Sequence, residues 1–126
     1  MIVDDEHIIA DTLSIILSKN GFAVLTAYDA HSALELARLV PPELLLSDVV
    51  MEPGMDGTEL AIAVVASFPD CRVLLFSGNA ATCDLLGKAR ASGYNFPLLT
   101  KPLHPAQLLA RIAETFSFPS PRLAVA

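Results

Sequence analysis

Strand-like apolar runs alternate five times with segments of helical periodicity, and no other feature of this sequence restricts the fold as much. The runs are short, whereas the segments between them repeat apolar residues at three- and four-residue steps. Strands that alternate with helices form a parallel sheet covered by helices on both faces. The predicted strands are residues 1–3, 22–27, 43–48, 71–78 and 97–100. The predicted helices are residues 5–20, 29–40, 57–67, 80–92 and a last helix that begins near Pro105.

Local signals predict where the helices end and which faces they bury. Asn20-Gly21 ends the first helix, Asp29 is an N-cap for the second, and Pro41-Pro42 stops it. Recurring apolar positions indicate the core-facing side of each helix. These positions are Ile9, Leu13 and Ile16 in the first helix, Ala33, Leu34, Ala37 and Val40 in the second, Leu85, Leu86 and Ala89 in the fourth, and Leu108, Leu109, Ile112 and Phe116 in the fifth.

The composition excludes several classes of protein. The 126 residues are 53% hydrophobic with a mean hydropathy of +0.54, which suits one globular domain and excludes a disordered chain. A formal charge of −6 without any basic run argues against direct DNA binding, because that needs several cationic phosphate contacts. No apolar stretch is long enough to cross a bilayer, and no signal peptide is recognisable. We therefore expect a cytoplasmic protein in which Cys71 and Cys83 are free thiols.

Polar residues follow four of the predicted strands at the point where each strand ends. In an open parallel sheet these ends meet at one edge, where ligands bind. Clustered carboxylates suit a small, hard divalent cation, for which Mg²⁺ is the abundant candidate, and a lysine adds a fixed positive charge. The residues predicted to converge are Asp4, Asp5 and Glu6 after the first strand, Asp48 at the end of the third, Ser77 at the end of the fourth and Lys101 after the fifth.

Each of these residues also has an ordinary structural interpretation. Asp4 and Asp5 are suited to capping the N-terminus of the first helix, where acidic side chains are favourable. Ser77 alone would be a strand-end hydroxyl, and Lys101 alone a solvated lysine before a proline. Asp56 is assigned to the turn before the third helix and Glu59 to its first turn. The functional interpretation rests on the convergence of several residues and not on any one of them.

Four motifs in order resemble the receiver domain of bacterial two-component response regulators. They are "VDDE" (3–6), "LLSDVVMEPGMDG" (45–57), "LLFSG" (74–78) and "LLTKP" (98–102). The resemblance spans about residues 1–117 as one receiver domain, and residues 118–126 are expected to form a flexible C-terminal tail. It implies a flavodoxin-like (βα)5 doubly wound sandwich whose five-stranded parallel sheet has the order 2-1-3-4-5.

The resemblance also implies a role for each matching residue. Asp48 would be the phosphoacceptor, and Ser77 and Lys101 would contact the phosphoryl group. Mg²⁺ would be bound by Asp5, by Asp48, by the backbone carbonyl of Val50 and, through water, by Asp4. A cis peptide bond is expected before Pro102.

The implied partners are proteins. A histidine kinase or a phosphotransfer protein would supply the phosphoryl group, and the face formed by the fourth helix, fifth strand and fifth helix would contact a downstream protein. No direct nucleic-acid or membrane contact is expected. The domain would not be an enzyme beyond catalysing its own phosphoryl transfer and dephosphorylation.

Two departures from the family pattern leave alternatives open. Glu52 is inserted in the loop after Asp48, and Leu98 stands where an aromatic residue usually lies. Either Phe96 takes that place through an altered register, or the aromatic switch is missing. Val50 cannot orient water by hydrogen bonding, which leads us to expect a long-lived phosphorylated state. A degenerate receiver that only binds proteins is the second functional candidate. A haloacid-dehalogenase-like hydrolase is the last candidate, because that family has a second aspartate at the position where this chain has Val50.

Overall fold

The computed structural model describes residues 1–51, 54–78 and 82–117 and contains a five-stranded parallel sheet of order β2-β1-β3-β4-β5. The predicted fold and strand order are confirmed. The strands are β1 (Ile2–Val3), β2 (Thr26–Ala27), β3 (Leu44–Asp48), β4 (Arg72–Ser77) and β5 (Leu98–Thr100). The helices are α1 (His7–Lys19), α2 (Ala30–Leu39), α3 (Gly57–Ser67), α4 (Thr82–Ala91) and α5 (Pro105–Ser117). The expected tail, residues 118–126, lies outside the described residues.

The central strands are buried on both faces, which explains why their sequences are almost continuously apolar. All five residues of β3 are buried, including Asp48 at its end. Alternate side chains of β3 and β4 point to opposite faces of the sheet. Leu45 and Leu75 pack in one core cluster, whereas Leu46 and Phe76 pack in the other.

The helices divide between these two clusters. Residues of α2, α3 and α4 pack with one face of the sheet, and residues of α1 and α5 pack with the other. The longest of the helices has 13 residues. In the described part of the chain, none combines the length and apolar character that a membrane span requires.

Two residues predicted to face the core are exposed. Val40 is 53% exposed because α2 ends at Leu39, so Val40 continues in extended conformation away from the helix face. Phe116 is 44% exposed because it lies in the last turn of α5, where it lines a cavity of about 480 Å³ with Phe22 and Pro41. This cavity is at the amino-terminal end of the strands and includes none of the predicted site residues.

The buried side of α1 and the extent of β2 also differ from the predictions. Ala10, Leu13 and Leu17 are the buried residues of α1, whereas Ile9 and Ile16 are only half-buried. Leu13 is thus buried as predicted, and the residues that follow Ile9 and Ile16 are buried in their place. Strand β2 pairs with β1 over two residues, although residues 22–27 were predicted as strand.

The described cysteine behaves as the composition suggested. Cys71 is a buried free thiol, and burial raises its pKa to about 11. At neutral pH it is therefore a protonated, unreactive part of the core.

Candidate functional site at the carboxyl ends of the strands

Three carboxylates from two strand ends lie close enough together to share a cation. Asp4 and Asp5 follow β1, and Asp48 ends β3, which pairs with β1 in parallel. One carboxylate oxygen from each of the three lies within 4.8 Å of the others. Asp4 and Asp48 are buried, whereas Asp5 is exposed at the mouth of the cluster. The structure thus brings together the acidic residues that the sequence predicted to meet.

Lys101 enters the same cluster from the loop after β5. Its Nζ lies 3.4 Å from Oδ2 of Asp4 and 3.4 Å from Oδ2 of Asp48. It also lies 3.7 Å from Oε1 of Glu6 and 5.2 Å from the centre of the Phe76 ring. The peptide bond between Lys101 and Pro102 is cis, as expected. The lysine is therefore part of the cluster and not a solvated side chain.

Burial dominates the electrostatics of these carboxylates. It raises the pKa of Asp4 to about 6. The backbone N–H of Glu6 donates a hydrogen bond to the Asp4 carboxylate, and this bond lowers the pKa in opposition to burial. Burial also raises the pKa of Asp48, and the charge of Lys101 opposes that increase. For Lys101 itself, burial lowers the pKa, but the charges of Asp48 and Asp4 more than offset it. One ammonium thus faces several carboxylates, and further positive charge would favour their ionised forms.

The end of β3 is fixed by hydrogen bonds on both sides. The Ser47 hydroxyl donates to the backbone carbonyl of Asp48 over 2.9 Å, and the Val49 N–H donates to the carbonyl of Phe76 over 3.1 Å. The Gly57 N–H at the start of α3 donates to the carbonyl of Val49 over 2.7 Å. These contacts hold the backbone on either side of the Asp48 side chain.

Gly57 allows this close approach because it has no side chain. A Cβ atom at position 57 would lie 2.9 Å from Cα of Val49 and overlap the backbone carbonyl of Asp48. Sequence reasoning placed Gly57 in a motif but missed this packing role. The only local signal was a glycine at the first position of a helix.

The acidic residues that were given an ordinary structural interpretation make hydrogen bonds at the starts of α3 and α1. Asp56 caps α3 by accepting hydrogen bonds from the backbone N–H groups of Thr58 and Glu59, and the Glu59 carboxylate accepts one from the backbone N–H of Asp56 over 3.2 Å. This confirms the assignment of Asp56 and Glu59 to the turn and first helical turn. At the start of α1, the carboxylate of Asp4 accepts the Glu6 N–H over 2.9 Å, which agrees with the structural interpretation for one of the two acids.

Ser77 and Val50 lie at the same end of the sheet. Ser77 is the last residue of β4 and is buried, and its carbonyl accepts the Lys101 N–H over 3.1 Å. Val50 lies two residues past Asp48 and is half-buried. The inserted Glu52 lies outside the described residues.

Leu98, not Phe96, occupies the position three residues before Lys101. Leu98 pairs with Leu75 and Thr100 pairs with Ser77, so the register of β5 leaves Phe96 two residues upstream. Phe96 is buried and stacks on buried Tyr94, with 5.8 Å between the ring centres. The aromatic side chains are thus part of the core beside α4, and an aliphatic residue lies at the switch position.

Comparisons with known proteins agree with this geometry. The family description "Response regulator receiver domain" matches residues 1–113. A two-component transcriptional regulator AraC from Clostridium phytofermentans ISDg is 29% identical, with a TM-score of 0.75 over 92% of this chain and 89% of the other. The receiver domain of NtrX from Brucella abortus is 27% identical, with a TM-score of 0.80 over 94% and 98%.

A third structure, a CheY-like receiver domain protein from Methanospirillum hungatei JF-1, is 27% identical, with a TM-score of 0.79 over 92% of this chain and 90% of the other. Against a longer NtrX chain from Brucella abortus, 92% of this chain matches only 26% of that chain. The strand order, the acidic cluster, the lysine and the match over residues 1–113 lead to one conclusion: this chain belongs to the response regulator receiver domain family.

Proposed function

We propose that this receiver domain accepts a phosphoryl group on Asp48 in a two-component phosphorelay. The observation that carries the proposal is the convergence of Asp4, Asp5 and Asp48 with the ammonium group of Lys101. A carboxylate can attack phosphorus when fixed positive charge neutralises the transferred oxygens. Among the carboxylates of the cluster, Asp48 is assigned this role because it stands at the phosphoacceptor position that the resemblance to receiver domains implies.

The donor set fits Mg²⁺, which prefers oxygen ligands. In this proposal Asp5 and Asp48 bind the ion directly, Asp4 holds it through water, and Val50 contributes its backbone carbonyl. The raised pKa values of Asp4 and Asp48 support the assignment, because both groups gain from a nearby cation. When bound, Mg²⁺ would supply positive charge to the oxygens of the phosphoryl group during transfer.

The proposed step is a displacement at phosphorus. A carboxylate oxygen of Asp48 forms a bond to phosphorus as the P–N bond of a phosphohistidine breaks, and the imidazole nitrogen leaves with the bonding electrons. Lys101 Nζ, 3.4 Å from Oδ2 of Asp48, is close enough to neutralise an oxygen of the transferred group. The Ser77 hydroxyl is assigned to hydrogen-bond the same group. Water later hydrolyses the acyl phosphate, and no other catalytic activity is assigned to the domain.

Two proteins would meet this domain in the cytoplasm. A histidine kinase or phosphotransfer protein would deliver the phosphoryl group, and a downstream protein would bind the α4–β5–α5 face. Phosphorylation places additional negative charge beside Ser77, which precedes α4, and beside Lys101, which follows β5. A changed arrangement there would alter this face.

Phosphoryl transfer from a small donor tests the proposal. We expect the protein to gain the mass of one phosphoryl group when incubated with phosphoramidate and Mg²⁺, and to gain none after Asp48→Ala or with excess EDTA. Asp70→Ala is the matched control, because Asp70 is an exposed loop carboxylate. Absence of labelling in a folded wild-type protein, or labelling that persists in Asp48→Ala, would contradict the proposal.

Leu98 favours the second candidate, a receiver that binds a protein without switching. An aliphatic side chain at this position cannot make the ring movement associated with an aromatic switch. If labelling fails while a partner still binds the unphosphorylated domain, this candidate replaces the first. If labelling succeeds and alters partner binding, the first candidate stands.

A further inference from the structure

Tyr28 connects the turn after β2 with the first turn of α1, next to the acidic cluster. Its ring stacks on the His7 imidazole with 3.8 Å between ring centres and 19° between planes. Its hydroxyl donates a 2.6 Å hydrogen bond to Oδ1 of Asp11. His7 and Asp11 are four residues apart and therefore lie on the same side of α1. One side chain thus contacts the start of this helix at two points.

The N-terminus of α1 lacks the side-chain interactions that usually cap a helix. Its N-cap residue Glu6 makes no side-chain capping bond, and no acidic residue lies in its first turn. Such caps ordinarily satisfy the first N–H groups of a helix. Here Asp4 accepts the Glu6 N–H, so a carboxylate of the candidate cation site also holds the helix start. A movement of this turn would therefore displace the cluster.

Tyr28 is itself well anchored. Its ring packs against the core cluster that includes Ile2, Ala10 and Leu13. The residue before it, Ala27, pairs with Val3 and accepts the Asp4 N–H over 3.3 Å. The sheet therefore sets the position of Tyr28 relative to the turn that carries Asp4 and Asp5.

We propose that Tyr28 is a positioning residue for the cation site: by holding His7 and Asp11, it fixes the turn that presents Asp5. The inference rests on the proposed function, because it assigns Tyr28 an effect on divalent-cation affinity. Groups that hold a metal ligand directly typically change affinity by about 10- to 100-fold. Tyr28 acts less directly, through His7, which lies two residues after Asp5, so the expected loss on its removal is about threefold to tenfold.

Cation titration of the unphosphorylated full chain tests this role. Mg²⁺ affinity is measured by calorimetry at fixed ionic strength, and Mn²⁺ affinity by electron paramagnetic resonance. Tyr28→Leu, which removes both contacts, is expected to weaken binding about threefold to tenfold. Tyr28→Phe keeps the stack and loses only the hydroxyl, so its loss should be smaller. Phe116→Leu is the control, since it removes an exposed ring at the opposite end of the sheet.

The outcomes separate this inference from the proposed function. Wild-type protein that binds neither cation would overturn both. Wild-type binding that is lost in Asp5→Asn but stays within twofold of normal in Tyr28→Leu would overturn the positioning role alone. A purely structural role for Tyr28 would lower the unfolding midpoint of Tyr28→Leu and leave its cation affinity unchanged, and this result also overturns the inference.

Discussion

Replacing Gly57 by alanine tests the close approach between α3 and the end of β3. The added Cβ would lie 2.9 Å from Cα of Val49 and overlap the carbonyl of Asp48, and all of these neighbours are backbone atoms. Relief therefore requires the helix start and the strand end to separate. The Gly57 N–H to Val49 carbonyl bond, now 2.7 Å, would lengthen with them.

The expected cost is the balance of three effects. Overpacking a tight site costs about 1–3 kcal/mol. A lost or weakened hydrogen bond adds about 1 kcal/mol. The higher helix propensity of alanine offsets at most about 1 kcal/mol of this destabilisation. We therefore expect Gly57→Ala to lower the free energy of unfolding by about 1–3 kcal/mol, and to weaken divalent-cation binding because Asp48 moves.

Urea unfolding followed by circular dichroism measures this change, and Gly87→Ala is the matched control. Gly87 lies within α4, is exposed, and has open space where its Cβ would be. Alanine there should be neutral or stabilising by up to about 1 kcal/mol. The packing argument is wrong if Gly57→Ala is as stable as wild type or changes stability in the same direction as Gly87→Ala.

Three further predictions concern the acidic cluster and its surroundings, and the first two are measured without divalent cations. The Asp4 pKa of about 6 lies above its ordinary value, so the folded state binds more protons than the unfolded state between about pH 4 and 6. The free energy of unfolding should therefore fall by about 1–3 kcal/mol as the pH rises through this window. Urea titrations of Asp4→Asn should not show this loss. Lys101→Met should lower the thermal midpoint more at pH 7.5 than at pH 5, because Asp4, whose pKa burial raises to about 6, is mostly protonated at the lower pH; an equal loss at both would contradict the ion pairing. Val50→Asn should shorten the lifetime of phosphorylated protein measured with Mg²⁺ present, and an unchanged decay rate would remove that hypothesis.

The identity of the cluster could be predicted because strand ends are readable from the sequence. An apolar run that ends in an acid or a lysine places that residue at the carboxyl edge of the sheet, whatever the packing details. Asp4, Asp48 and Lys101 were found in this way. Glu6 was predicted at the same edge, but its 3.7 Å approach to Lys101 depends on a side-chain direction that no pattern encodes.

Helix faces were predicted less well near helix ends. Periodicity assigned Val40 and Phe116 to the core, yet both are exposed, because a helix that has ended or passed the sheet no longer buries its next apolar residue. The aromatic residues near β5 show the same limit. Only the pairing of Leu98 with Leu75 established that Phe96 does not take the place of Leu98 through an altered register.

By itself, the sequence determined the order of elements, the parallel sheet and the set of charged residues at its edge, because these follow from periodicity and from where each apolar run stops. Only the tertiary structure decided which backbones touch and which side chains support the cluster. Gly57 beside Asp48, and Tyr28 between His7 and Asp11, join residues distant along the chain. Such contacts depend on distances between packed elements, and local sequence carries no information about those distances.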